Sequence, residues 1–187
     1  SLPGLVYAGS HGFDISGPGI DMDHPGGKKA RPHLKTAADE IERRLEQVPG
    51  SQVERKKYAV AVHYRNTDPS DTGTVKHIVE EVHSHHPELR ITGGKKILEL
   101  RPDIDWDKGK ALCWLLEELD LDREDVLPLY IGDDFTDEDA FRVLGKQGLA
   151  LLVGNHGKET YAHYLLGNVQ ETQRFLDFLI TLAEEKE

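Results

Sequence analysis

The sequence predicts an α/β fold organised around a parallel sheet. In its last third, two short apolar runs alternate with segments in which apolar residues recur at helical spacing. Strands that are apolar on both faces are typical of a parallel sheet covered by helices. The predicted elements are a helix over 106–119, a strand over 126–131, a helix over 136–144, a strand over 149–153 and a helix over 169–184.

The pattern of residues 18–103 indicates instead an α+β domain with antiparallel pairing. A short apolar run before it, Leu5–Ala8, is predicted to be a buried strand of the first domain. The chain therefore divides into a core domain of 1–17 and 104–187 and an inserted domain of 18–103. The inserted elements are a helix opened by Pro32 and ended by Gly50, an alternating strand over 58–66, a helix over 75–82, and a hairpin of 89–92 and 95–100 joined at Gly93-Gly94.

Composition excludes several classes of partner. The net charge is -11, whereas a nucleic-acid-binding surface needs a basic face, so no nucleic-acid partner is expected. No apolar run approaches the roughly 18 residues of a membrane-spanning helix, so no membrane partner is expected. The single cysteine, Cys113, permits no internal disulfide and favours a reducing, cytoplasmic location.

The acidic segment Gly132–Asp139 is the motif that carries chemistry. Asp133, Asp134 and Asp137 fall where an apolar strand ends and a helix begins, and open α/β sheets bind ligands beyond the carboxyl ends of their strands. Carboxylate oxygens suit a hard cation such as Mg²⁺. The alternative is that Asp134 or Thr136 caps the helix, although capping needs one residue and not several acids. We predict that Asp133 and Asp134 bind a metal.

Lys108 is the second candidate for a functional role. It falls in the first turn of a predicted helix, where the helix dipole disfavours a cation. A phosphate and an acidic cluster facing this lysine would reverse that preference. The alternative is an ordinary solvated lysine, which is the interpretation we favour for Lys110.

Together these two segments resemble the phosphatases of the haloacid dehalogenase superfamily. The resemblance implies a metal site in the acidic motif and a lysine that steadies the phosphate. Asp133 matches the family's direct ligand of Mg²⁺ and Lys108 its lysine. Asp137 matches a second acid, which acts through water or by positioning the lysine.

Four strings of the sequence carry a narrower resemblance: Gly9–Asp14, His63–Arg65, Lys95–Pro102 and Gly132–Phe141. Within that superfamily, they resemble the trehalose-6-phosphate phosphatases in their order and spacing. The resemblance implies a haloacid dehalogenase-like core with an inserted α+β cap domain. It also implies hydrolysis of a sugar phosphate, trehalose 6-phosphate, through an aspartyl-phosphate.

The resemblance further implies that the inserted domain binds the sugar. Lys95 and Glu99 are predicted to lie on one face of an alternating strand, where they can hydrogen-bond hydroxyl groups. His11 and Arg65 are further candidates for substrate binding. The alternatives are ordinary cross-strand charge pairs on an exposed sheet face and, for Arg65, a structural ion pair.

The family's first motif, Asp-x-Asp-Gly-Thr, which carries the nucleophile and the general acid, does not occur in these 187 residues. We therefore expect this chain alone to be inactive. The core sheet is expected to be incomplete, so that an N-terminal segment of a longer protein or a second chain must complete it.

Two alternative functions stay open. One is a phosphatase that acts on another sugar phosphate. The other is a catalytically inactive, regulatory phosphatase-like domain attached to a trehalose-phosphate synthase. Outside the motifs, His83, His85 and His86 are predicted to be a solvated helix end, and Cys113 a small core residue.

Overall fold

The computed structural model describes residues 2–185, which divide into two compact units with a boundary between Asp105 and Trp106. This boundary lies near the predicted end of the inserted domain. Residues 2–17, which belong to the segment 1–17 predicted to join 104–187, are grouped with the first unit. The assignment of 1–17 to the core domain stays a prediction.

The first unit begins with a three-stranded antiparallel sheet, in the order β1-β2-β3. Its strands are β1 (Tyr7–Gly9), β2 (Asp14–Gly17) and β3 (Ile20–Asp23). The prediction of a buried strand at Leu5–Ala8 is wrong, because β1 is exposed along its length and pairs with β2. A tight turn with left-handed φ angles at Ser10 and His11 reverses the chain after β1 and produces this antiparallel pairing.

Helix α1 spans Pro25–Leu45, so it begins one residue after His24 and not at Pro32. The Nδ1 atom of His24 caps the helix by accepting a hydrogen bond from the Gly27 N–H at 3.3 Å. Gly27 packs directly on an aromatic ring, since a Cβ there would lie 2.9 Å from Tyr58. The Pro-Gly-Gly string therefore starts a helix because glycine is the residue that permits this close approach.

An antiparallel sheet of four strands, in the order β4-β5-β7-β6, forms the rest of the first unit. Helices α1 and α2 pack on it and bury the apolar faces that their helical periodicity predicts. The α+β character of this region is confirmed. The remaining elements are β4 (Gln52–Lys56), β5 (Ala59–His63), α2 (Thr72–Ser84), β6 (Leu89–Gly94) and β7 (Ile97–Pro102).

The turn between β6 and β7 lies at Lys95 and Lys96, not at Gly93-Gly94 as predicted. The observed register places Ile91 opposite Leu100, and both side chains pack in the core. A turn at the two glycines would shift this register and separate the apolar pair. The burial of one sheet face therefore determines the position of the turn and outweighs local turn propensity.

The second unit contains a parallel sheet in the order β10-β9-β8, which confirms the predicted α/β pattern. Strand β10 was not predicted. The hydrophobic core of the second unit is small and consists of a cluster of Phe141, Leu144, Ala150 and Leu152. The elements are α3 (Lys108–Glu118), β8 (Leu129–Gly132), α4 (Glu138–Leu144), β9 (Leu149–Val153), β10 (Tyr164–Leu166) and α5 (Val169–Glu184).

Two features of the second unit differ from a fully covered sheet domain. The side chain of Cys113 on α3 is exposed, so the prediction of a small core residue is wrong. No residue of α5 is buried, and its apolar side chains Phe178 and Ile180 are more than half exposed. Within the described part of the chain, no helix has the length and apolar character needed to cross a membrane.

Candidate active site

The acidic motif lies at the carboxyl end of β8, as predicted. The strand ends at Gly132, and a short 3₁₀ turn, Phe135–Asp137, leads into α4. A Cβ at residue 132 would lie 2.5 Å from the side chain of Asp137. Glycine at the strand end therefore allows the Asp137 carboxylate to pack against the backbone of the strand.

The Asp137 carboxylate is buried and accepts four hydrogen bonds. Its Oδ1 atom accepts from Lys108 Nζ at 2.7 Å and from the Tyr130 hydroxyl at 2.8 Å. Its Oδ2 atom accepts from the backbone N–H groups of Asp133 at 3.1 Å and of Asp134 at 3.0 Å. Asp137 thus joins the lysine, the strand and the loop, and it also supplies the capping function that was the alternative interpretation of the motif.

These contacts determine the charge state of the carboxyl group. Burial on its own would raise the pKa of Asp137, but hydrogen bonds from Lys108, the Asp134 N–H and Tyr130 outweigh it and hold the pKa below its ordinary value. Burial and then the Asp137 carboxylate raise the pKa of the Tyr130 phenol. At neutral pH, Asp137 is therefore an anion and Tyr130 a neutral donor.

Lys108 is the first residue of α3. Its position depends on the capping of α3 and on the packing of α3 against α4. Asp107 caps α3 by accepting a hydrogen bond from the backbone N–H of Lys110 at 2.8 Å. At the next position, Gly109, a Cβ would clash with the backbone carbonyl oxygen of Asp139, so glycine permits α3 to approach the start of α4. The structure brings Lys108 and Asp137 together as predicted, and Lys108 is not a freely solvated lysine.

Asp133 and Asp134 lie beside this ion pair with exposed side chains. Across residues 2–185, the side-chain oxygens of Asp133, Asp134 and Asp137 do not all lie within 4.8 Å of one another. The physical reason is that Asp137 turns inward to its four donors.

Mg²⁺ nevertheless fits the residues present. It commonly takes one or two protein carboxylates and fills its other positions with water and phosphate oxygens. Asp133 and Asp134 supply two exposed carboxylates at the strand end, without any need for Asp137.

Glu138, a further acid of the motif, has a structural position. Its buried carboxylate lies 2.8 Å from His156 Nε2 and accepts the backbone N–H of Tyr161 at 2.7 Å. The pair ties the segment after β9 to the start of α4. A signal was available, since Glu138 and Phe141 are three residues apart and share the buried face of the helix.

Glu99 on β7 is the centre of a second charged cluster. Its side chain, 14% exposed, lies 3.5 Å from His11 Nε2, 3.0 Å from Lys56 Nζ and 3.8 Å from Arg101 Nε. Hydrogen bonds from His11 and then Lys56 lower the pKa of Glu99 to about 2. The structure thus brings together the predicted residues His11 and Glu99, and it adds Lys56, which the sequence analysis missed.

The other two predicted sugar-binding residues lie elsewhere. Lys95 is an exposed turn residue. The prediction that it shares a strand face with Glu99 is wrong, because the hairpin turns at this position. Arg65 follows β5 and is exposed, and its side chain makes no ion pair with any residue of the described range 2–185. The structural ion pair considered for Arg65 is therefore not formed there.

Two further residues that hold Lys108 and Asp137 in place, Tyr130 and Gly109, were not predicted from the sequence. Tyr130 precedes Gly132 by two positions and so shares its face of β8, a parity that could have indicated a contact with Asp137. The role of Gly109 had no comparable signal, because it depends on the packing of α3 against α4.

Comparisons with known proteins identify the family of this chain. The sequence model of a family described as trehalose-phosphatase matches residues 1–170. "Probable trehalose-phosphate phosphatase D" of Arabidopsis thaliana is 46% identical over 193 residues, which cover 96% of this chain and 52% of that protein. The chain spans about half the length of the curated relatives it matches.

Solved structures give the fold. A trehalose-6-phosphate phosphatase related protein has a TM-score of 0.80 at 24% identity, over 95% of this chain and 72% of that one. A haloacid dehalogenase-like hydrolase from Bacteroides thetaiotaomicron has a TM-score of 0.55 at 17% identity, over 83% of this chain and 68% of that one. The predicted haloacid dehalogenase-like α/β fold is confirmed, and the chain belongs to the trehalose-phosphatase family.

Proposed function

We propose that this chain supplies the phosphate-binding and sugar-binding parts of a Mg²⁺-dependent phosphatase that hydrolyses trehalose 6-phosphate to trehalose and phosphate. The observation that carries the proposal is the Lys108–Asp137 ion pair of 2.7 Å at the carboxyl end of β8, next to two exposed carboxylates. Family membership supports the choice of reaction.

Lys108 is the group that receives the phosphoryl oxygens. Its side chain is 28% exposed while that of its partner Asp137 is 5% exposed, so part of the lysine side chain remains open to a ligand. A fixed cation stabilises negative charge that develops on a transferring phosphoryl group. It is also needed for binding, because a chain with a net charge of -11 repels a phosphate elsewhere.

Asp137 acts as a positioning residue in this proposal. Its four hydrogen bonds leave its carboxylate no free role as a ligand, and its anionic state keeps Lys108 in one place. Asp133 and Asp134 would hold Mg²⁺, which when bound neutralises charge on the phosphoryl oxygens.

The sugar is assigned to the cluster around Glu99. An ionised carboxylate accepts hydrogen bonds from hydroxyl groups, and the imidazole of His11 beside it offers a further donor or acceptor. Exposed Lys95 and Arg65 carry no ion pair among residues 2–185, and we propose them as further substrate contacts.

The nucleophile is proposed to be an aspartate outside these 187 residues, which forms an aspartyl-phosphate. It comes from the rest of a longer protein or from a second chain, because no Asp-x-Asp-Gly-Thr string occurs here. The chain alone is therefore expected to release no phosphate.

Phosphate release from trehalose 6-phosphate by the active protein that contains these residues tests the proposal. Lys108→Met removes the ammonium group at similar side-chain length, and we expect kcat to fall about 10²–10³-fold. Lys110→Met, on the same helix, is the matched control and should retain activity. Asp133→Asn should raise the Mg²⁺ concentration needed for half-maximal activity, because it removes one of the two carboxylates proposed to bind the ion. Equal activity of Lys108→Met and the control contradicts the phosphate assignment, and equal rates on sucrose 6-phosphate contradict the sugar assignment.

A further inference from the structure

Away from the acidic motif, two histidines and a glutamate gather on the first unit. His33 lies on α1, and His86 and Glu88 lie in the short connection between α2 and β6. One ligand atom of each lies within 4.8 Å of the others. Among residues 2–185, this is the only set of three histidine, cysteine or carboxylate side chains with such spacing.

The three side chains differ in their exposure in a way that suits a bound ion. His33 Nδ1 and Glu88 Oε2 lie 3.3 Å apart, and both side chains are partly open to solvent. His86 is only 8% exposed, so the prediction that it belongs to a solvated helix end is wrong, and its ring centroid lies 6.0 Å from that of His33. The ring nitrogens of His86 make no hydrogen bond with another described residue and are not among the buried unsatisfied side-chain atoms, so they remain open to a ligand.

The backbone holds two of these residues in fixed positions. Pro87 separates them and restricts the chain between them. The His86 carbonyl accepts the Leu89 N–H at 3.0 Å, and the Glu88 carbonyl accepts the Asp103 N–H at 2.8 Å. A connection with this many restraints positions its side chains before any ligand arrives.

We propose that His33, His86 and Glu88 form a binding site for a divalent transition metal, with Zn²⁺ the best match. Two imidazoles and one carboxylate are a common set of protein ligands for Zn²⁺, with water in the fourth position. Mg²⁺ prefers oxygen ligands, so this site is chemically different from the carboxylates at the end of β8. A bound ion would join α1 to the α2–β6 connection and would stabilise the first unit.

Isothermal titration calorimetry tests the proposal: Zn²⁺ is added to the metal-free chain in a solution that contains excess Mg²⁺. We expect one Zn²⁺ per chain, and Co²⁺ in its place should give the visible absorption of a tetrahedral ion. Glu88→Gln, at an exposed position with little risk to folding, should weaken Zn²⁺ binding on the order of tenfold or more. His86→Gln should do the same and should abolish the rise in Tm with Zn²⁺.

Two control variants test whether Zn²⁺ binding belongs to these three residues. His85→Gln changes the neighbouring histidine, which lies outside the set of three, and should bind Zn²⁺ as tightly as the unmodified chain. Asp133→Asn should also leave Zn²⁺ binding unchanged, which keeps this test independent of the proposed phosphatase activity. Zn²⁺ affinity that is insensitive to Glu88→Gln, or that falls as much with His85→Gln or Asp133→Asn, would overturn the proposal.

Discussion

The Asp137 carboxylate connects more elements of the second unit than any single apolar contact could. It accepts hydrogen bonds from α3 through Lys108, from β8 through Tyr130, and from the loop backbone at Asp133 and Asp134. A buried charge with several donors is stable, whereas donors that lose their acceptor are costly. The site geometry therefore depends on this one residue.

Asp137→Ala is expected to lower the free energy of unfolding by about 2–4 kcal/mol, because the partly buried donors of Lys108 and Tyr130 lose their acceptor. Asp133→Ala, at an exposed side chain of the same loop, should change it by less than about 0.5 kcal/mol. Urea denaturation in the presence of EDTA, followed by tryptophan fluorescence, measures both. Equal effects of the two substitutions contradict the role assigned to Asp137.

Glu99→Gln tests the second charged cluster through its pH dependence. His11 and Lys56 lower the pKa of Glu99 from 4.5 to about 2 in the folded chain, so the ionised carboxylate stabilises the native state above pH 4.5. This contribution is lost as the pH falls towards 2. It amounts to about 1–3 kcal/mol at neutral pH.

The variant should therefore be less stable than the unmodified chain at pH 7, and the difference should narrow as the pH falls to 3. Urea midpoints between pH 3 and 7 measure it. Glu54→Gln on β4, at an exposed carboxylate of the same sheet, is the control. A difference that stays constant over this range would show that packing, and not charge, explains the effect.

At the scale of elements, helix faces were predictable and strand partners were not. The periodicity of α1 identifies Leu34, Ile41 and Leu45 as buried residues, because a helix face depends only on local spacing. Leu5–Ala8 has the composition of a buried strand, yet its burial depends on which strand pairs with it. The turn at Ser10 and His11 determines which strand pairs with β1. No local sequence pattern predicts the left-handed conformation of these two residues.

The same distinction applies to the candidate site. The Lys108–Asp137 pair was predictable because family resemblance relates two distant segments of the chain. The contribution of Gly109 was not, since it arises only when α3 packs on α4. Asp137 turned inward for a similar reason: buried donors outweigh the exposure expected of an acidic loop.

The β6–β7 turn gives a prediction at this scale. Lys96 adopts a φ of +64°, a conformation that glycine adopts without steric cost. Lys96→Gly should raise the free energy of unfolding by about 0.5 kcal/mol, because relief of backbone strain exceeds the added chain entropy and the lost contact with Tyr64. Thermal unfolding measures it, and Lys95→Gly, with an ordinary φ, should lower stability. If Lys96→Gly lowers the free energy of unfolding as much as Lys95→Gly does, backbone strain at Lys96 does not explain the effect.

At the scale of the whole molecule, the two units differ in the size of their cores. Within the described residues, the core cluster of the first unit contains sixteen buried side chains, most of them from α1, α2 and the four-stranded sheet. The cluster of the second unit draws four. Since buried apolar surface is the main favourable term in folding, the second unit should be the less stable of the two.

Unfolding of the chain in urea should therefore occur in two transitions. Trp106 and Trp114 both belong to the second unit, so tryptophan fluorescence should report the earlier transition, while far-UV circular dichroism should report both. Phe141→Leu should shift only the earlier transition, and Val79→Ala, at a fully buried position of α2, only the later one. If fluorescence and circular dichroism coincide, and each substitution moves the single transition by a similar amount, the units unfold cooperatively. The difference in core size would then not determine the order of unfolding.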